Sequence, residues 1–182
     1  LEDDTQILDE NKQKIWLAGG CFWGVEEYFS RVPGVIDVTS GYSNGTTEDP
    51  SYQEVINNSG HAETVEVTFD KTQIDLDSIL DYYFRIIEPT SLNKQGNDAG
   101  VQYRTGIYYE MEEDLNIINE VVRREQENHD DKIVTEVLPL EHYYLAEEYH
   151  QDYLVKNPNG YCHVDFGVLD DESEVKVNPA YY

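Results

Sequence analysis

Cys21 stands in the run Gly19-Gly20-Cys21-Phe22-Trp23-Gly24, directly after the apolar stretch Ile15-Trp16-Leu17-Ala18. A helical apolar pattern follows at Val25, Tyr28, Phe29 and Val32. The simplest reading is a strand, a tight turn and a helix start, with the thiol at the helix N-terminus. Unpaired N–H groups and the helix dipole favour thiolate there, and thiolate is the nucleophilic form. The glycines permit a sharp turn and leave the sulfur uncovered. Phe22 and Trp23, in a first helical turn, would line a small apolar pocket beside it. The alternative is a buried cysteine in a strand–helix corner, acting as a small hydrophobe.

Glu63 is the second residue with chemical promise. Residues 63–69 alternate, with Val65, Val67 and Phe69 on one face and Thr64, Glu66 and Thr68 on the other. Glu63 has the parity of the apolar set. A carboxyl on that face is desolvated, its pKa rises, and it can serve as a general acid near neutral pH. If the strand begins at Thr64, Glu63 is an exposed loop acid instead. Asp98 sits among the turn residues Gln95, Gly96, Asn97 and Gly100, which fits an ordinary turn aspartate. Tyr52 and Tyr103 lie in or beside long loops. With 15 tyrosines in the chain, pattern alone does not single them out. His61 could pair with a cysteine nucleophile as in cysteine hydrolases, but no orienting third residue or oxyanion hole is visible. His142, His150 and His163 read as structural or surface residues. Glu147, Glu148, His150 and Asp152 read as the solvated face of a helix.

Cys162 follows Asn157-Pro158-Asn159-Gly160. It is either an incidental thiol or one that reaches a sulfenic acid formed on Cys21. Two cysteines are few for a disulfide scaffold, and no residues show metal-ligand spacing, so neither a metal nor another cofactor is expected.

The Gly19–Gly24 run resembles the active-site motif of the A-type peptide-methionine sulfoxide reductases. Gly60-His61-Ala62-Glu63-Thr64-Val65, Gln95 to Gly106, and Asn157 to His163 also resemble that family's segments, in the same order. The resemblance covers roughly residues 14–165. It implies that Cys21 attacks the sulfoxide sulfur and that Glu63 donates a proton to its oxygen. It also implies that Tyr52 and Tyr103 hydrogen-bond that oxygen, with Asp98 fixing their arrangement through water. Phe22 and Trp23 would hold the ε-methyl group on their aromatic faces. Cys162 would resolve the sulfenic acid to a Cys21–Cys162 disulfide, which thioredoxin would reduce. No third cysteine follows, so the relay should stop at one disulfide. The S epimer at sulfur is implied by resemblance alone. Other thiol enzymes, such as peroxidases or disulfide oxidoreductases, and a non-enzymatic module for Met-rich or oxidised peptides are the competing readings.

Elements must bring these residues together from distant parts of the chain. The patterns predict strands over 15–19, 35–41, 63–69, 106–109 and 133–138. They predict helices over 24–32, from 76 with Asp75 as cap, over about 112–128, and over 145–155. Long loops occupy 43–62 and 90–104, and loops of that length are usually functional. The order predicts one α+β domain, a mixed sheet with helices packed on it. The resemblance implies a ferredoxin-like core with long functional loops. Residues 1–13 read as a flexible acidic lead-in, 14–165 as the domain, and 166–182 as an acidic tail or linker.

Composition narrows the setting. The chain has 182 residues, 12 basic against 38 acidic, for a formal net charge of −26. That balance argues against nucleic acid or an anionic membrane as partner, because phosphates need Lys and Arg. No apolar run approaches the ~20 residues of a membrane helix, and no signal peptide is visible. A cytoplasmic setting is expected. The chain starts at Leu1 without an initiator Met, which leaves an upstream targeting segment open. A B-type reductase, fused or separate, is a candidate neighbour, since the chain looks like the A domain of A/B fusions.

Overall fold

The computed structural model describes residues 9–57, 59–160, 164 and 166–170. Eight strands and five α-helices are found among them: β1 Lys12–Gly19, α1 Phe22–Ser30, β2 Val35–Ser43, α2 Tyr52–Ile56, β3 Ala62–Asp70, α3 Leu76–Phe84, β4 Lys94–Gln95, β5 Asp98–Ala99, β6 Thr105–Tyr109, α4 Glu112–Gln126, β7 Glu136–Pro139, β8 Tyr143–Leu145 and α5 Tyr153–Lys156. Six strands form one sheet in the order β7-β6-β1-β3-β2-β8, and β4 pairs with β5 apart from it. Only β6 and β7 run parallel, which makes the sheet mixed.

The four inner strands carry the ferredoxin-like topology. β1-α1-β2 and β3-α3-β6 are crossovers, and the inner order β6-β1-β3-β2 leaves every inner neighbour antiparallel. Strand parity decides what the sheet buries. Ile15 and Leu17 face Val67 and Val65 across the β1–β3 ladder, and all four are fully buried in the main core with α1 and α3. Trp16 and Ala18 point to the other face, where Ala62 and Tyr108 form a smaller cluster. α4 packs outside α3, buries Ile118 and Val121, and is tied to it by an Arg124–Asp77 ion pair of 2.9 Å.

Most predicted elements stand where periodicity put them, with shifted ends. β1 begins at Lys12 rather than Ile15, and α1 starts at Phe22, two residues early. Asp75 caps α3, its Oδ1 accepting from the Ser78 N–H at 2.9 Å. The 43–62 loop carries the short α2, and the 90–104 loop carries the β4–β5 pair and a 3₁₀ turn at Val101–Tyr103.

The predicted helix over 145–155 is absent. That stretch leaves β8, makes a 3₁₀ turn at Glu148–His150, turns left-handed at Asp152 (φ 54°) and ends in the four-residue α5. The reason is long-range bonding. The Gln151 side chain takes the Ser40 N–H at 2.9 Å and donates to the carbonyls of Ser40 at 2.8 Å and Ala146 at 3.0 Å. Those bonds pin the segment across β2, where an α-helix would turn Gln151 away. Beyond Cys162, Phe166–Asp170 packs back on the body. Arg31 lies over the Phe166 ring at 4.4 Å, and Arg85 donates to the Val168 carbonyl at 3.1 Å.

Candidate active site

β1 lies between β6 and β3, and its C-terminal end delivers Cys21. Gly20 has φ 91°, a left-handed turn that a side chain would strain. Tyr83 fastens the strand end, donating to the Ala18 carbonyl at 2.6 Å and accepting from the Gly106 N–H at 3.1 Å. Cys21 is the N-cap residue of α1, in extended conformation, and is 7% exposed. The thiol therefore sits at a helix N-terminus at the end of a central strand, where the Gly-Gly-Cys pattern placed it.

Glu63 reaches the same point from β3. It pairs with Tyr42 of β2, is 2% exposed, and accepts a hydrogen bond from the Phe22 N–H at 3.1 Å on Oε1. The carboxyl thus satisfies one of the open N–H groups of the helix that Cys21 starts. Burial pushes its pKa up to about 8, the Phe22 bond opposes this, and Asp98 adds to the rise. At neutral pH Glu63 carries its proton. The burial of Glu63 selects the buried acid, which strand parity left open and the family resemblance favoured.

Tyr52 opens α2 and Tyr103 closes the Val101–Tyr103 turn. Burial first, and then the charge of Glu63, raise both phenol pKa values. The two phenols influence each other, and both feel Cys21. Both hydroxyls therefore stay protonated donors within the field of the thiol and the acid. Asp98 lies in β5, and its Oδ2 is buried without a hydrogen-bond partner among the described residues. A buried carboxylate oxygen in that state calls for a water or ligand donor.

Phe22 is 1% exposed and packs its ring 5.7 Å from Tyr42. Trp23 is half-buried and stacks on Tyr153 at 3.7 Å with an interplanar angle of 7°. Its indole N–H donates to His150 Nδ1 at 3.1 Å. Indole is only a donor, so the His150 proton sits on Nε2. Burial lowers the His150 pKa and keeps the ring neutral.

Three site residues escaped the sequence reading. His150 is 1% exposed rather than on a solvated face, with its ring 5.2 Å from Phe22 and 4.8 Å from Tyr52. Glu147 accepts from the Tyr42 hydroxyl at 2.8 Å and from the Tyr52 N–H at 3.0 Å. Glu26 of α1 is 2% exposed. Only the aromatic density of 142–153 hinted at burial, and assigning that stretch to a surface helix concealed it. His61 takes no such place. Its Nε2 bonds the Thr47 carbonyl at 2.8 Å, and its ring lies 5.5 Å from His142. Cys162 lies outside the described residues. No group of three or more His, Cys, Asp or Glu able to hold a metal occurs among the described residues.

Residues 13–180 match the family model described as peptide methionine sulfoxide reductase. The chain belongs to the peptide methionine sulfoxide reductase family. It is 54% identical over 153 residues to a peptide methionine sulfoxide reductase MsrA of Clostridium acetobutylicum, covering 84% of this chain and 94% of the relative. Reduced Mxr1 of Saccharomyces cerevisiae superposes with a TM-score of 0.79 at 36% identity, over 86% of this chain and 92% of that one. Mxr1 in complex with Trx2 gives a TM-score of 0.58 at 26% identity, over 83% and 91%. The chain is thus an oxidoreductase that reduces methionine sulfoxide, on a mixed α+β fold shared with solved members of its family. Among the described residues no helix of this reductase is long and apolar enough to cross a membrane.

Proposed function

We propose that the reductase acts on methionine-S-sulfoxide, free or in proteins, with Cys21 as nucleophile and Glu63 as acid. The observation that carries the reading is the buried Glu63 carboxyl, bonded to the Phe22 N–H at the head of the Cys21 helix, with a pKa raised by burial. Tyr52 and Tyr103 orient the sulfoxide oxygen by hydrogen bonds, and water held by the open Oδ2 of Asp98 supports them. Phe22 and Trp23 pack the methyl group. The Cys21 sulfur attacks the sulfoxide sulfur and forms an S–S bond, the Glu63 proton goes to the sulfoxide oxygen, and the S–O bond breaks. The hydroxide released then bonds to the Cys21 sulfur and breaks the S–S bond. Methionine leaves and Cys21 becomes a sulfenic acid, so the substrate sulfur is reduced by two electrons and Cys21 oxidised by two. The Cys162 thiol then displaces water to give a Cys21–Cys162 disulfide.

An external dithiol reduces that disulfide by exchange. Thioredoxin is the partner favoured by the structural likeness to Mxr1 in its complex with Trx2. A cytoplasmic setting, where thioredoxin keeps thiols reduced, fits this cycle. A B-type reductase, fused or separate, would take the other epimer.

The test is a single turnover of each pure sulfoxide epimer without added reductant. Wild type should release one methionine per enzyme from the S epimer only and end as a cross-linked Cys21–Cys162 peptide pair. Cys162→Ser should release the same methionine and leave a Cys21 sulfenic acid trapped by dimedone. Cys21→Ser should release none. Equal use of both epimers, or turnover by Cys21→Ser, would overturn the assignment.

A further inference from the structure

Glu26 is a buried acid that the chemistry above does not use. It lies three residues after Trp23 on α1, so both side chains meet the chain from the same helix face. Both carboxylate oxygens accept from the Asp152 N–H, each at 3.0 Å. Asp152 is left-handed, with φ 54° and ψ 36°. A non-glycine residue there costs on the order of 1 kcal/mol or more and persists only when its surroundings hold it. The turn it makes is what redirects the chain so that Tyr153, the next residue, lies flat on Trp23. On the other side of the turn, Gln151 is anchored to β2 and His150 receives the Trp23 N–H. Among the described residues Glu26 is thus the one side chain that bonds the apex of the turn directly.

We infer that Glu26 is a positioning residue for substrate recognition: it clamps the Asp152 turn to α1 and thereby sets Tyr153 and His150 around Trp23. The inference rests on Trp23 being a wall of the substrate pocket. It locates the recognition surface in a contact between two parts of the chain rather than in the Phe22-Trp23 motif alone. Loss of the clamp should weaken substrate capture and leave the reaction at Cys21 and Glu63 intact once substrate is bound.

The test compares Glu26→Met, which keeps the volume and removes the acceptor, with Glu26→Gln, which keeps an acceptor oxygen. KM for the free S-sulfoxide should rise several-fold in the Met variant, the scale of a lost buried hydrogen bond. The single-turnover rate at saturating substrate should stay within about 3-fold, and Gln should restore most of the KM. In a Trp16→Phe background Trp23 is the one emitter, and its emission should shift red and quench more readily with acrylamide in Glu26→Met. Hydrogen exchange needs no variant: in the wild-type protein the Asp152 amide should rank with the sheet amides in protection. A rapidly exchanging Asp152 amide, or an unchanged KM and emission in Glu26→Met, would overturn the inference even if one variant failed to fold. Trp23→Leu separates the two readings. If it leaves KM unchanged, the pocket assignment itself fails. If it raises KM while Glu26→Met does not, only the clamp fails.

Discussion

The Glu63 carboxyl has lost its water and gained one backbone N–H, and burial outweighs the bond, so its pKa rises from 4.5 to about 8. Two measurable effects of opposite kind follow from that one environment. Below about 8 the acid holds the proton it must donate, so kcat/KM should fall as pH rises through that value. In Glu63→Gln this alkaline limb should vanish, along with roughly 10²–10⁴-fold of the rate. For stability the neutral form is the one the fold prefers. Its contribution is complete below 4.5 and is lost as pH rises through about 8. Glu63→Gln, always neutral, should therefore melt above the wild type at about pH 9 and match it at about pH 4. Differential scanning calorimetry at the two pH values checks the sign, and a variant less stable at the alkaline end would refute it. Local pattern made Cys21 and Glu63 candidates, through a glycine pair before a helix and a parity along one strand, and the family motifs around them decided between the readings. His150, Glu147 and Glu26 were not, because each is defined by a partner far away in the chain.

Among elements, α2 is a weak one that the site depends on. It has five residues, too few for a helix to stand alone in water, yet it begins with Tyr52. Its support is a capping box: Ser51 Oγ accepts from the Glu54 N–H at 3.2 Å, and Glu54 Oε1 accepts from the Ser51 N–H at 3.1 Å. Ser51→Ala should weaken it by about 1 kcal/mol. The exposed cap should leave the global melting temperature nearly unchanged, while amides of residues 52–56 exchange faster and sulfoxide reduction slows several-fold. Unchanged exchange in that window would mean that the Glu147 bond to the Tyr52 N–H alone holds the helix. The same scale shows where sequence patterns stop. β3 and α3 bury one face of a regular period, so alternation and a capping Asp75 were enough to find them. Residues 145–155 have helix-forming composition, but Gln151 bonds two backbone groups of β2 and Asp152 turns left-handed, and those tertiary bonds override local propensity. Gly41 makes that docking possible. A side chain there would collide with the Tyr143 ring, where β8 joins β2.

The whole molecule carries a formal net charge of −26. The exposed ion pairs, such as Arg123–Glu120 and Arg123–Glu127, add little. Self-repulsion should dominate the salt response. The melting temperature should rise by several degrees between about 10 mM and 300 mM NaCl, as the screening length shortens. A flat or falling profile would show that local pairs outweigh the overall field. The charge was legible from composition, and the α+β class from the order of the helix and strand patterns. The sheet order was not, since composition and period do not say which strands are neighbours. That order also fixes a timetable. Cys21 leaves the ribosome before Glu147, His150 and Tyr153, which bond Tyr42 and pack on Trp23 beside it and come more than a hundred residues later. At about 5–20 residues per second, the nascent chain presents an unenclosed thiol for at least several seconds. The segment that packs on Trp23 is translated well after Cys21, so oxidative damage during synthesis would fall on the nucleophile before the enzyme has done any repair.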